Sequence, residues 1–227
     1  MFSANDMLAD IICRNIDLLP IVFRFGISSN IGQTTIGEMC LEKGLEIDFF
    51  LSVINTYNST EYFPRIDSID LSLLTDFLTK THDYHKSSTI PRLRGLMNEL
   101  KGKFPDKQLI ITLEKYLNEY IEKLIAHIDF EERNIFPLVK IGTSKGADNN
   151  HRNSMKNLKK LLNQHTNVET EISDLIVIII QHIPDNSDVQ LFYEVLHTLS
   201  HFEKEQIDHA RFEDKILVPR LMKLLEI

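Results

Sequence analysis

The segment His127-Ile-Asp-Phe-Glu131 recurs as His209-Ala-Arg-Phe-Glu213. In both copies a glutamate follows a histidine by four residues, and a proline, Pro137 or Pro219, follows that histidine by ten. The copies lie 82 residues apart (209 − 127). On an α-helix, positions i and i+4 differ by about 40° in azimuth and about 6 Å in height. Each copy therefore aims one imidazole and one carboxylate in the same direction. Two such pairs, facing each other, supply two nitrogens and two carboxylates. That is the set from which di-iron and di-manganese sites are built between facing helices.

Two further histidines fit the same plan. If antiparallel helices hold ligands at one level, the turn between them falls midway between those ligands in sequence. His85 and His127 have their midpoint at 106, where Gly102, Pro105 and Asp106 cluster. His127 and His165 have theirs at 146, within Gly142-Thr-Ser-Lys-Gly146, and His165 and His209 at 187, within Pro184-Asp-Asn-Ser-Asp188. These are the strongest breaker clusters of the region. Four helices with short turns would bring His85, His127, His165 and His209 to one height.

The elements needed to position them can be read directly. The first bundle helix is expected from about Ser68 to Lys101, with Pro91 kinking or overwinding it. The second starts after Pro105 and reaches about Asn134, its apolar positions Leu109, Leu113, Leu117, Ile121, Leu124 and Ile128 following helical spacing. The third covers roughly Asn150 to His182 and the fourth roughly Val189 to Leu225. Before them, residues 1–60 read as short helices: Asp6 to Arg14, Leu18 to Phe25 stopped by Gly26, a piece capped by Thr34 or Thr35 and ended by Gly44, and 45–57. The expected fold is all-α: an antiparallel four-helix bundle over 64–227, preceded by a small helical domain over 1–63. No convincing strand pattern of period two occurs.

Composition narrows the function. With 43% hydrophobic and 26% charged residues, the 227-residue chain reads as soluble and globular. A net charge of −8 without a Lys/Arg cluster argues against nucleic acid. Asp6, Asp10, Arg14 and Asp17 interrupt the apolar N-terminus, so it is not expected to be a signal peptide. The longest apolar run, Leu175 to Ile180, is too short to span a bilayer, so no membrane partner is expected. The only cysteines, Cys13 and Cys40, form neither a disulfide framework nor a zinc site. A cytoplasmic location is the simplest expectation.

Buried carboxylates and imidazoles cost many kcal/mol unless something compensates the charge, and a pair of cations would do so. The alternative is two exposed glutamates on solvated faces, but Phe130 and Phe212 flank the carboxylates. The expected metal set is His85, His127, Glu131, His165, His209 and Glu213. Glu131 and Glu213 would bridge and the imidazoles would be terminal ligands. Hard carboxylates, imidazoles and no thiolate favour iron, with manganese second, over copper or structural zinc. Open positions would hold water, an oxo or hydroxo bridge, or a small ligand such as O2 or NO. Among neighbours, His201 is too far along the helix to share a metal with His209. His82 is a ligand only if His85 is not. Glu205 is either close to the site or solvent-facing, Glu169 either an acceptor for an imidazole N–H or a partner of a lysine, and Glu132 and Asp214 read as surface charges.

These residues carry a likeness. His85 in a His-Asp-Tyr-His setting, then HxxFEExxIFP, Gln-His165 and HxxFEDxxLVP resemble the hemerythrin-like HHE cation-binding domain. Phe25-Gly-Ile27 and the stretch Ile36 to Leu45 are similar to the small domain that precedes the bundle in the iron–sulfur cluster repair di-iron (RIC) family. That family carries an adjacent Cys-Cys pair where this chain has Ser28-Ser29-Asn30, and often another site histidine where Lys86 to Ala126 has none. The resemblance implies two iron ions and a role in nitrosative or oxidative stress, either delivering iron to damaged Fe–S proteins or binding and reducing NO. NO-reducing enzyme activity is one version of it, and a homodimer is left open. A second reading is an O2, NO or iron sensing module without turnover, and a third a helical interaction protein with a vestigial site.

Overall fold

The computed structural model describes residues 1–225 except 30, 33, 106, 143–150 and 184–187, and leaves out the side chains of 141–142, 151–152, 155 and 163–170. Among the described residues the protein is all-helical. The one extended pairing is an isolated bridge between Met7 and Thr35. The first segment holds α1 (Leu8–Arg14), a 3-10 turn (Ile16–Leu18), α2 (Leu19–Arg24), α3 (Ile36–Lys43) and α4 (Ile47–Asn58). Of the two candidate threonines, Thr35 caps α3: its side chain accepts from the Glu38 N–H while Glu38 reaches back to the Thr35 N–H. Gly44 closes α3 at φ +65°, a left-handed conformation that glycine adopts without a Cβ clash.

The long helices follow. A 3-10 turn (Ile66–Ser68) leads into α5 (Leu71–Tyr84), a π-helical turn (His85–Thr89) and α6 (Ile90–Lys103). Then come α7 (Gln108–Asn134), α8 (Pro137–Gly142), α9 (His151–Gln181), α10 (Val189–Phe212), a second π turn (Glu213–Leu217) and α11 (Val218–Leu224). The turns expected at 142–146 and 184–188 fall largely outside the described residues. α6 packs against α7 and α10, and α9 packs against the same two helices. None of the helices, among the described residues, is long and apolar enough to cross a membrane.

Pro91 does not overwind its helix. The helix opens instead, and the Ile90 N–H donates to the His85 carbonyl five residues back. The same happens before Pro219, where the Val218 N–H donates to the Glu213 carbonyl. At the end of α7, before Pro137, the Phe136 N–H donates to the Glu131 carbonyl at 3.0 Å. A proline ring collides with the carbonyl four residues back and offers no N–H, so a wider turn ahead of it relieves the conflict. Each wide turn starts at a candidate ligand six residues before its proline: His85 and Pro91, Glu131 and Pro137, Glu213 and Pro219.

Two apolar clusters divide the interior. One lies among α6, α7, α9 and α10 and includes Leu93, Leu117, Leu124, Leu175 and Phe202. The other joins the first segment to the opposite end of the long helices and includes Val22, Phe50, Phe77, Ile135, Phe212 and Leu221. Phe77 anchors it, with ring centroids 5.2 Å from Phe25, 6.0 Å from Tyr57 and 6.5 Å from Phe212. On α5–α6, α7 and α10 the polar residues from His82 to His85, His127 to Glu131 and Glu205 to His209 fall between the clusters. Phe77→Ala is expected to cost about 3–5 kcal/mol. Urea denaturation should report a single transition, because one core spans both segments; two separate transitions would refute that coupling.

Candidate metal centre

His82 on α5, Glu131 on α7, His209 on α10 and Glu213 at the start of the second π turn offer ligand atoms that all lie within 4.8 Å of one another. This group could hold a metal ion. His82 Nε2 is 3.2 Å from Glu131 Oε2 and 3.2 Å from His209 Nε2. His209 Nε2 is 3.3 Å from Glu213 Oε1, and His127 Nε2 is 2.8 Å from Glu131 Oε1. Both HxxFE copies therefore point their imidazole and carboxylate the same way, as the i, i+4 spacing requires. Both glutamates are fully buried, at 0% exposure.

The electrostatics suit a cation. A buried carboxylate is stable only with a compensating charge or several donors. His82 supplies part of that charge. Burial pushes its pKa down, but the Glu131 and Glu132 carboxylates outweigh burial and raise it to about 9. Its Nδ1 faces Glu132 Oε1 at 3.0 Å, its ring stacks on Phe136 with centroids 5.5 Å apart, and Lys86 Nζ lies 3.2 Å from the same Glu132 oxygen. Glu132 is thus not a plain surface charge but the partner that orients His82. An ion bound among these four groups takes the place of the His82 proton, which couples metal affinity to pH.

His85 sits differently. Its Nδ1 is 3.3 Å from Thr89 Oγ1 and 3.7 Å from Glu205 Oε2, and its ring meets Phe202 edge-on with centroids 5.0 Å apart. Its Nε2 is buried without a hydrogen-bond partner among the described residues. Burial, then the nearby Arg24 charge, holds its pKa well below the usual histidine range, so the imidazole is neutral and able to ligate. His127 is buried on the same stripe of α7. His165 lies on α9, and its side chain is outside the described residues. His201 faces Asp17 at 3.7 Å. Neither thiol belongs to the site: Cys13 is exposed, and Cys40 lies in the cluster with Phe50, where burial raises its pKa to about 11.

The four grouped residues take their first-helix imidazole from His82, where the sequence favours His85. Spacing does not separate the two histidines, because halfway between 82 and 127 is 104.5, also within Gly102–Asp106. The signal that marks His82 is the pairing of its other nitrogen with Glu132, a partner 50 residues away. Compared with known proteins, the chain matches no family model and no curated protein sequence.

Two histidines contribute to the pH dependence of the metal-free protein in opposite directions. His82 has a folded pKa above its unfolded value of 6.5, so its contribution is complete below 6.5 and is lost as pH rises through about 9. His85 has a depressed folded pKa, so its contribution is present above 6.5 and is lost as pH falls below it. Stability measured by urea denaturation is expected to fall by about 3 kcal/mol between pH 6.5 and 9. His82→Gln should flatten that limb. A wild-type curve already flat across this range would contradict the assignment.

Proposed function

We propose that this protein is a non-haem di-iron protein of nitrosative or oxidative stress, built on a hemerythrin-like four-helix bundle whose rods are α5–α6, α7, α9 and α10–α11. The observation that carries this reading is the convergence of two buried carboxylates and two imidazoles from three long helices within 4.8 Å. The donor set fits iron: oxygen and imidazole ligands, no thiolate, and an interior in which the negative charge needs a cation. His82, His209, Glu131 and Glu213 would hold one ion. His127, His165 and His85 through its Nε2 would hold a second, and Glu131 and Glu213 would serve both. Two iron ions would supply open positions for NO or O2 and the electrons that such ligands exchange.

The chain's own residues would do the rest. Leu124, Ile128 and Phe202 on one side and Ile135, Phe136 and Phe212 on the other keep bulk water from the polar layer. A dry site strengthens every charge interaction within it. Glu132 holds His82 by its outer nitrogen, as partners of ligating histidines do. On this reading the protein reduces NO or hands iron to damaged Fe–S proteins. Reversible sensing is the outcome in which a ligand binds without turnover.

Protein purified without chelators is expected to contain about two iron atoms per chain by elemental analysis, as the two-ion ligand set requires. Changing His127 and Glu131 together to Ala should remove most of that iron. Anaerobic NO added to the reduced protein should yield N2O, and a stable nitrosyl spectrum instead would mark a sensor. Iron-free protein from metal-replete cells, unchanged by the double substitution, would sink the proposal.

A further inference from the structure

Arg24 is the last residue of α2, yet it is only 6% exposed. It reaches from the first segment to α10, where its Nη2 lies 2.8 and 2.9 Å from the two oxygens of Glu205. Its guanidinium sits 4.4 Å over the Tyr84 ring. Its Nε and Nη1 are buried without a hydrogen-bond partner among the described residues. Stability is a poor reason for this pair. A buried ion pair roughly breaks even against apolar residues of the same size, and unmet donors make it worse.

Its position suggests another reason. Glu205 is one helical turn before His209 and is 4% exposed, so its carboxylate stands beside the polar layer. Left alone, such a group competes for a cation at the level of His209. Arg24 occupies both of its oxygens. Thr89 Oγ1 stands within hydrogen-bond distance of His85 Nδ1, at 3.3 Å, and Glu205 Oε2 lies next to it, 3.7 Å from the same nitrogen. The two nitrogens of an imidazole point to different sides of the ring, so groups that hold Nδ1 decide where Nε2 is aimed. We propose that Arg24 and Glu205 are positioning residues for the metal centre: Arg24 withholds Glu205 from the ions, and Glu205 with Thr89 fixes His85 so that Nε2 is its ligand atom. This rests on the reading that His85 serves the second ion. It makes the first segment part of the site, through a residue that touches no metal.

The test uses the full chain with Co2+ as the only added metal, read by its visible d–d absorption and by titration, together with urea stability of the metal-free forms. Arg24→Met alone leaves a buried carboxylate unpaired and should lose stability. Arg24→Met with Glu205→Met replaces the pair by apolar side chains and should recover it. The double variant should nonetheless bind the second Co2+ about 10–100-fold more weakly, with an altered spectrum, as loss of an outer partner of a ligating histidine does. In a His85→Ala background the same pair of substitutions should change nothing further. A double variant with wild-type spectrum and affinity would show the pair to be structural only and overturn the inference. If His85→Ala leaves binding unchanged while His82→Ala and His209→Ala abolish it, the inference falls and the four-residue centre stands. If the wild type binds no Co2+, both fall.

Discussion

The structure depends on burying two carboxylates, Glu131 and Glu213, at full depth between two apolar cores. Such a burial costs several kcal/mol per charge unless the layer around it is organised to answer it. The organisation is visible in what surrounds them. Imidazoles from three helices approach the carboxylates, and for one of them, His82, the Glu131 and Glu132 carboxylates outweigh burial and raise its pKa to about 9. Outside this layer a second ring of charges, Glu132 with Lys86 and Glu205 with Arg24, orients the inner one. No part of the arrangement is explained by packing, since apolar residues of equal volume would satisfy the helices at lower cost. The four grouped side chains could hold a metal ion, which would answer that charge.

Backbone and side-chain requirements meet at the wide turns. Three of the chain's prolines each follow a candidate ligand by six residues, and in each case that ligand's carbonyl accepts a bond from five residues on. A π turn inserts one residue into the helical register and so re-aims everything beyond it. The part of the helix that carries the polar residue can then face the polar layer while the next part faces an apolar cluster, α6 the one with Leu117 and Phe202 and α11 the one with Phe50 and Phe77. Pro137 ends its helix outright, whereas Pro91 and Pro219 let theirs continue as α6 and α11. Beyond its wide turn, α6 carries Leu93, Met97 and Leu100 into the cluster with Leu117 and Phe202.

Much of this was legible in the sequence because it is local. Helix starts and stops came from Thr35, Gly44 and the breaker clusters, and the i, i+4 pairs from the repeat itself. The bounds expected for the second helix, after Pro105 to about Asn134, match α7 closely. What was not legible is long-range. His82 and His85 are three residues apart on one helix, so both pass any test of spacing, and only the fold shows that Glu132 takes one and Glu205 and Thr89 the other. The direction of the Pro91 distortion was also hidden, because overwinding and opening both relieve a proline, and the choice depends on the packing of the next turn. Arg24 gave no signal at all. An arginine at a helix C-terminus reads as solvated and dipole-complementing, and nothing near it in sequence names a partner 181 residues away.

The first segment therefore cannot be treated as an appendage to the long helices. Phe25, Phe49 and Tyr57 pack on Phe77, which stands on the same helix as His82, and Phe63 and Tyr57 pack on Phe212, which adjoins Glu213. Those rings pack on the helices that carry His82 and Phe212 where they enter the polar layer. Close-packed interiors transmit small displacements rather than absorb them. A shift of the first segment would consequently move His82 and Glu213 through the aromatic cluster and Glu205 through Arg24, two routes that reach different sides of the same layer.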